Sequence, residues 1–177
     1  MKQIPLNSKK YPGLFALVDD EDYDRLARLK WHVTAHHGNF YATNCEYTGI
    51  EHGKQKVIHR KMHREILRLT DSKVKIDHEN GNGLDNRKEN LRISDNSQNQ
   101  RNRNRIHKVN TSGFRGVSFF KNGNRAKRWN AQIQYTDNGK SKRKSLGYFL
   151  TAEEAARAFD KAAKVIYGNF CGKLNFE

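Results

Sequence analysis

The sequence predicts an α+β protein of two small units, and three observations lead there. Residues 75–102, KIDHENGNGLDNRKENLRISDNSQNQRN, read as strand, loop, strand and helix. From residue 110 onward, three runs alternate apolar with polar residues before one helical run, the pattern of a three-stranded antiparallel sheet packed on one helix. Finally, 177 residues with 35% apolar content suit small units better than one large core. The expected boundaries are 1–100 for the first unit with an N-terminal supporting layer of strands and a helix, 101–110 for a basic linker, and 111–177 for the second unit.

In chain order, residues 14–18 read as a strand, and Asp19, Asp20, Glu21 and Asp22 stand where a helix dipole favours negative charge. Tyr23, Leu26, Ala27 and Leu29 recur at helical spacing, so 20–29 is expected to be a short helix with its apolar face inward. Trp31 and Val33, then Phe40 and Tyr41 across a turn at 36–39, predict a hairpin; 55–59 predicts another strand and 64–69 a helical run. Residues 74–78 alternate toward the pair Asp77-His78. Asn80, Gly81, Asn82 and Gly83 then suit tight turns, 90–93 is a second apolar run, and Asp95-x-x-Gln98 has capping-box spacing at the start of a helix.

In the second unit the alternating runs are Phe114, Val117, Phe119, then Trp129, Ala131, Ile133, Tyr135, then residues 145–149, with turns at 122–124 and 137–139. Trp129, among alternating neighbours, is expected in the core. Thr151-x-x-Glu154 is a capping box, and Ala155, Ala156, Phe159, Ala162, Ala163 and Ile166 form one helical face ending at Gly168. The small alanines let that helix sit close to the sheet, leaving the other sheet face for a partner.

Lys and Arg outnumber Asp and Glu by 34 to 19, a formal charge of +15, which points to a polyanion partner, nucleic acid first. The excess is uneven. Residues 1–100 carry 17 basic and 14 acidic side chains, a net +3, and residues 101–177 carry 17 and 5, a net +12. Arg101, Arg103 and Arg105 alternate with asparagine, a composition suited to phosphate contacts without base readout.

Cys45 and Cys171 are far apart and form no Cys-x-x-Cys pair, so neither a disulfide framework nor a zinc knuckle is expected. His32, His36, His37, His52 and His59 stand in no i, i+4 pair and beside no cysteine, and turn and surface strand positions account for them. No apolar run approaches the roughly 20 residues of a membrane span, and no signal-peptide core opens the chain. A soluble, reducing compartment is expected.

The central stretch carries the parts of a hydrolytic site. Asp77 offers a hard carboxylate oxygen, Asn99 an amide oxygen, and His78 a base that titrates near neutral pH. Oxygen donors without a thiolate favour Mg²⁺ or Mn²⁺ over zinc. Those parts suffice for metal-assisted phosphodiester hydrolysis.

The residues Met62-His63-Arg64, Asp77-His78-x-Asn80-Gly81-x-x-x-Asp85-Asn86-Arg87-x-x-Asn90-Leu91-Arg92 and 96–102 resemble the HNH (ββα-metal) endonucleases of phage and intron homing enzymes. That resemblance implies His78 as general base, Asp77 and Asn99 as ligands of one Mg²⁺ or Mn²⁺ per site, and Asn90 as the amide tying the loop to the strand of His78. It implies His63 as the upstream histidine beside the site. Other branches carry a histidine where Asn99 stands, so the ligand set is of the Asp and Asn kind, with Asn96 and Asn102 as the neighbouring amides that could replace Asn99.

Residues 111–176, through Phe114-Arg115-Gly116-Val117, Trp129-x-Ala131-x-Ile133, Leu146-Gly147-x-Phe149, Ala155-Ala156-x-Ala158-x-Asp160-x-Ala162-Ala163 and Leu174-Asn175-Phe176, resemble the plant ethylene-response-factor (APETALA-two) DNA-binding domain, which also accompanies HNH nucleases in phage and bacteria. The family lays its sheet in the major groove, which admits a β-ribbon. By position, Arg115 and Arg143 match DNA-contacting arginines, while Ser118, Gln132, Gln134 and Ser145 replace other residues at contact positions, so the plant target does not transfer.

Together these resemblances imply a nicking or homing-type endonuclease acting on double-stranded DNA in the cytoplasm of a bacterial or phage-infected cell, with neither membrane nor small-molecule cofactor. One site per chain implies one nick per binding event by a monomer; a double-strand break calls for a dimer or two visits. A DNA-binding regulator with an inactive nuclease scaffold is the other reading, and the joint presence of Asp77, His78, Asn90 and Asn99 argues against it.

Overall fold

The first strand lies where the sequence signalled none: β1 (Lys2–Pro5) pairs antiparallel with β2 (Phe15–Val18), Ile4 opposite Ala16 and Lys2 opposite Val18. The computed structural model describes residues 1–36, 38–51, 54–102, 110–121 and 126–176. Among them, ten strands form four small antiparallel sheets beside four α-helices, a mixed α+β protein. The described residues divide into two compact units, Met1–Asn99 and Gln100–Glu177.

In the first unit, α1 (Asp20–Ala27) opens with three acidic residues, as the helix dipole favours, and buries Leu26. It stops short of Leu29 because the buried Trp31 indole N–H donates to the Leu26 carbonyl at 2.8 Å, leaving Trp31 outside any strand. The predicted hairpin is present as β3 (His32–His36) against β4 (Asn39–Glu51), but β4 runs on for 13 residues to pair with β5 (Lys54–Lys61). Cys45 there faces His59 across the strands, Sγ to Nδ1 3.2 Å, so one histidine does stand beside a cysteine.

β5 leads directly into α2 (Met62–Ile66), earlier than the predicted helical run, because Met62 and Ile66 both enter the core. β6 (Lys75–His78) and β7 (Leu91–Ser94) form the next pair, Asp77 opposite Arg92 and His78 opposite Leu91. Asn90 closes a 3-10 turn (Lys88–Asn90), and α3 (Asn96–Arg101) follows. One core joins all of this: Ile4, Val18, Leu26, Trp31, Ala42, Met62, Leu84 and Leu91 belong to the same buried cluster. The N-terminal layer is therefore also the hydrophobic floor of the β6–β7 pair.

In the second unit, β8 (Val117–Phe119), β9 (Trp129–Asp137) and β10 (Lys140–Phe149) form a sheet in the order β10, β9, β8. Phe114 lies before β8 and packs against the core rather than in a strand. Trp129 is partly buried against that same core, edge to face with Phe119 at 4.9 Å. The helix α4 (Ala152–Tyr167) has the expected reciprocal capping box of Thr151 and Glu154 and buries Ala155, Ala156 and Ala163 on the sheet. The predicted turn at 122–124 lies outside the described residues. Among the described residues no helix is long and apolar enough to cross a membrane.

Gly116 shows how tightly α4 seats. It has φ of +70°, and a Cβ on it would stand 2.0 Å from the Phe159 ring. Gly116→Ala adds both an unfavourable backbone conformation and a clash with a packed ring, so it should destabilise the protein by about 2–4 kcal/mol. Urea unfolding monitored by circular dichroism measures that loss.

Candidate active site

The loop between β6 and β7 contains one buried apolar side chain, Leu84, and takes its shape from polar groups that satisfy one another. The Asp85 carboxylate, 2% exposed, accepts the Asn80 amide at 2.8 Å and the Arg87 guanidinium at 2.7 and 2.8 Å. Hydrogen bonding from Arg87, opposed by burial, holds this carboxyl below its ordinary titration range. The Asn90 side chain donates to the Asp85 carbonyl at 2.7 Å and accepts the Asn80 N–H at 3.0 Å, while its own carbonyl accepts the Glu79 N–H at 2.9 Å. Asn90 thus ties the first residues beyond His78 to the far side of the loop. β2 grips the same loop: the Leu17 N–H donates to Leu84 and the Leu17 carbonyl accepts the Asn86 N–H.

His78 is buried, and its Nε2 lies 3.4 Å from the Asn86 amide oxygen. Asn86 donates its own amide to the Leu84 carbonyl at 3.2 Å, which assigns its oxygen as the group facing His78. The matching tautomer carries the proton on Nε2 and the lone pair on Nδ1. Burial lowers the His78 pKa, against the opposing pull of Asn86, Asp77 and Asp85, so the imidazole is neutral at physiological pH.

His63, on α2, packs edge to face on His78 with ring centroids 5.2 Å apart. Tyr41 of β4 completes the group, 6.2 Å from His63 and 6.0 Å from His78. Burial, reinforced by the positive charges of Lys61 and Arg64 and by repulsion from His78 once that ring is protonated, pushes the His63 pKa down to about 3.

Neighbouring residues on a strand face opposite ways, and Asp77 turns from this aromatic group to the other side of β6. Its Oδ2 accepts both Nε and Nη2 of Arg92, at 2.9 and 2.8 Å, while Arg92 Nη1 lies 3.2 Å from Glu79. Ser94, two residues along β7 and so on the same face as Arg92, donates to the Asn99 amide oxygen at 2.8 Å. Asp77 and the anchor of Asn99 therefore share one face of the strand pair. Asp95 and Gln98 exchange hydrogen bonds at 2.7 Å and fix the start of α3. Of the neighbouring amides, Asn96 is exposed at the first turn of α3, and Asn102 is buried in the second unit.

Among the described residues no cluster of three or more His, Cys, Asp or Glu side chains is placed to hold a metal. Asp77 and Asn99 instead offer one carboxylate and one amide oxygen. That donor set suits a hard cation that keeps several water ligands and completes its shell with phosphate oxygens.

The second unit presents a different surface. Gln134 pairs with Arg143, Gln132 with Ser145 and Asn130 with Ser118, so all of these stand on one sheet face. Val117, Ala131 and Ile133 point the other way and are buried. The polar face is held by Gln134 donating to Ser141 at 2.7 Å and Asn130 donating to Ser145 at 3.2 Å. Arg115 is not on that face in the same way: its Nη1 donates to the carbonyls of Arg101 and Lys173, at 3.0 and 2.9 Å. The Arg101 guanidinium lies 4.4 Å from the centroid of the Tyr167 ring, so this residue is packed into the second unit rather than strung along a linker. Arg103 and Arg105, like His37 and His52, lie outside the described residues.

Sequence reasoning passed over Asp85, Asn86 and Arg92 as contributors to the site although all three lie within the spaced motif. Tyr41 carried no local signal at all.

Two consequences can be measured. Asp85→Ala leaves the Asn80 and Arg87 donors without their buried acceptor and should cost about 2 kcal/mol or more in denaturant unfolding. His63 stays neutral when folded but takes a proton near pH 6.5 when unfolded. Its contribution to stability is full above that pH and is lost progressively as pH falls from about 6.5 toward 3. Thermal melts between pH 7 and 4 should show a shallower acid limb for His63→Gln than for the unsubstituted protein.

Compared with known proteins, the chain matches no family model, no curated protein and no solved structure.

Proposed function

We propose that this protein is a metal-dependent DNA endonuclease of the HNH (ββα-metal) kind, held on double-stranded DNA by a second unit similar to the ethylene-response-factor domain. The observation that supports this best is the arrangement about β6, where a neutral, buried His78 lies on one side and Asp77, with the anchored Asn99, on the other. Hydrolysis needs those two chemistries on opposite flanks of a phosphate, because water attacks phosphorus in line with the departing oxygen.

In the proposed step, His78 Nδ1 accepts a proton from the attacking water. The water oxygen bonds to phosphorus as the bond to the 3′ oxygen breaks, leaving a 5′-phosphate and, after proton uptake from solvent, a 3′-hydroxyl. One Mg²⁺ or Mn²⁺ held by Asp77 and Asn99 would supply charge stabilisation at the phosphate and the departing oxygen. Arg92 orients the Asp77 carboxylate, Asn90 and Asn86 fix the position and tautomer of His78, and His63 packs its ring without adding charge. On the second unit, Gln132, Gln134, Arg143, Ser118 and Ser145 face the major groove, where glutamine reads adenine and arginine reads guanine or a phosphate. Arg101, Arg103, Arg105 and Arg115 add phosphate contacts or hold the surface that makes them.

One observation favours a second reading, a DNA-binding regulator with an inactive nuclease scaffold: the Asp77 carboxylate is already engaged by Arg92 through two hydrogen bonds. Supercoiled plasmid separates the two. The nuclease converts it to open circle in Mg²⁺ or Mn²⁺ and not in chelator, whereas the regulator binds without cutting. With the nuclease, His78→Ala should lower the nicking rate by about 10²–10⁴-fold and leave DNA affinity within a few fold. Gln134→Ala and Arg143→Ala should each weaken binding by about 1–3 kcal/mol and leave nicking at saturating protein intact.

A further inference from the structure

We infer that Tyr41 is a catalytic residue of this site, its hydroxyl donating a hydrogen bond to a non-bridging oxygen of the phosphate being cut. The inference rests on the nuclease reading above and extends it to a residue outside the motif that suggested it.

Three observations lead to it. The Tyr41 ring sits against both histidines, with centroids 6.2 Å from His63 and 6.0 Å from His78, so the side chain lies on the flank from which the water would be activated. Its placement is fixed from two sides. On β4 it pairs across the sheet with Thr34, and the loop backbone presses on its ring at Gly83, where a Cβ would stand 2.7 Å from Tyr41 Cδ1 and Cε1 and 2.4 Å from the Phe40 carbonyl. Gly83 is thus required for the catalytic loop to lie against this tyrosine. Finally, the ring is half-buried, yet among the described residues the Tyr41 hydroxyl has no hydrogen-bond partner and is not among the buried unsatisfied groups. A tyrosine ring so enclosed ordinarily finds a partner for its O–H. Here the O–H belongs to a ring whose centroid lies 6.0 Å from that of the base.

The chemistry gives that proton a use. Attack on phosphorus shifts negative charge onto the non-bridging oxygens, and a hydrogen-bond donor fixed on this flank would meet it there. A phenol held by a strand supplies a fixed donor without bringing a second cation to the base. A purely packing role would be met equally well by phenylalanine.

Tyr41→Phe distinguishes the two roles because it keeps the ring and removes only the hydroxyl. Single-turnover nicking of supercoiled plasmid in Mg²⁺, duplex affinity by fluorescence anisotropy and thermal melting are compared for the unsubstituted protein, Tyr41→Phe and Tyr41→Leu. Tyr41→Phe should melt within about 1 °C of the unsubstituted protein and bind within twofold, while its cutting rate constant falls by about 10–100-fold. Tyr41→Leu should lose the same rate and also melt lower, since it removes the ring. Cutting by Tyr41→Phe at the unsubstituted rate overturns the inference and leaves the nuclease reading standing, and so does a rate loss matched by an equal loss of affinity or of melting temperature. Unsubstituted protein that binds duplex but does not nick overturns the nuclease reading and this inference with it.

Discussion

A single buried carboxylate, Asp85, decides whether the loop between β6 and β7 exists in one shape. With only Leu84 to bury, the loop cannot be held by packing, and its polar groups must find partners within it. Asp85 collects the donors of Asn80 and Arg87, and its carbonyl takes the Asn90 amide, so the two ends of the loop are joined through one residue. Everything placed by that loop inherits its order. Asn86 is aimed at His78, Gly83 is laid against Tyr41, and β2 gains a neighbour on its second edge.

The same arrangement sets the electrostatics of the proposed site. His78 is kept neutral by loss of water, and His63 beside it, with its pKa pushed down to about 3, is uncharged at neutral pH. Asp77, one residue away, belongs to a separate environment in which Arg92 offsets its charge. Strand alternation alone keeps these two chemistries apart while holding them one residue apart in sequence. The second unit uses the same alternation differently, setting alanine and isoleucine against α4 and glutamine, serine and arginine on the open face.

What could be read in the sequence was whatever depended on near neighbours. The capping boxes of Asp95 with Gln98 and Thr151 with Glu154 are complete within four residues, and β6, β7 and α4 followed from their own periodicity. β1 was missed because four residues alternating around one Ile4 give almost no signal until β2 pairs with them. The long reach of β4 was missed because its outer half carries mostly exposed residues, so no burial pattern announced it. Trp31 looked like strand and serves as a helix stop, and Tyr41 gave no hint of its position because its importance arises only when α2 and the loop arrive around it. Arg101 was read as a phosphate-contacting charge from composition, and Arg115 as a DNA-contacting arginine from the resemblance. Each spends its polar atoms or its plane on the interior of the second unit.

That interior has a clasp. Buried Asp160 of α4 accepts the backbone N–H groups of Asn175 and Phe176, and the Asn175 amide oxygen in turn accepts the Arg115 N–H across 60 residues of chain. Contacts so distant in sequence form late, after the entropy of closing a long loop has been met. The Asp85-centred loop of the first unit needs no residue beyond Asn90, whereas this clasp needs residues 175 and 176, so in synthesis from the N-terminus the clasp is the later of the two to become possible.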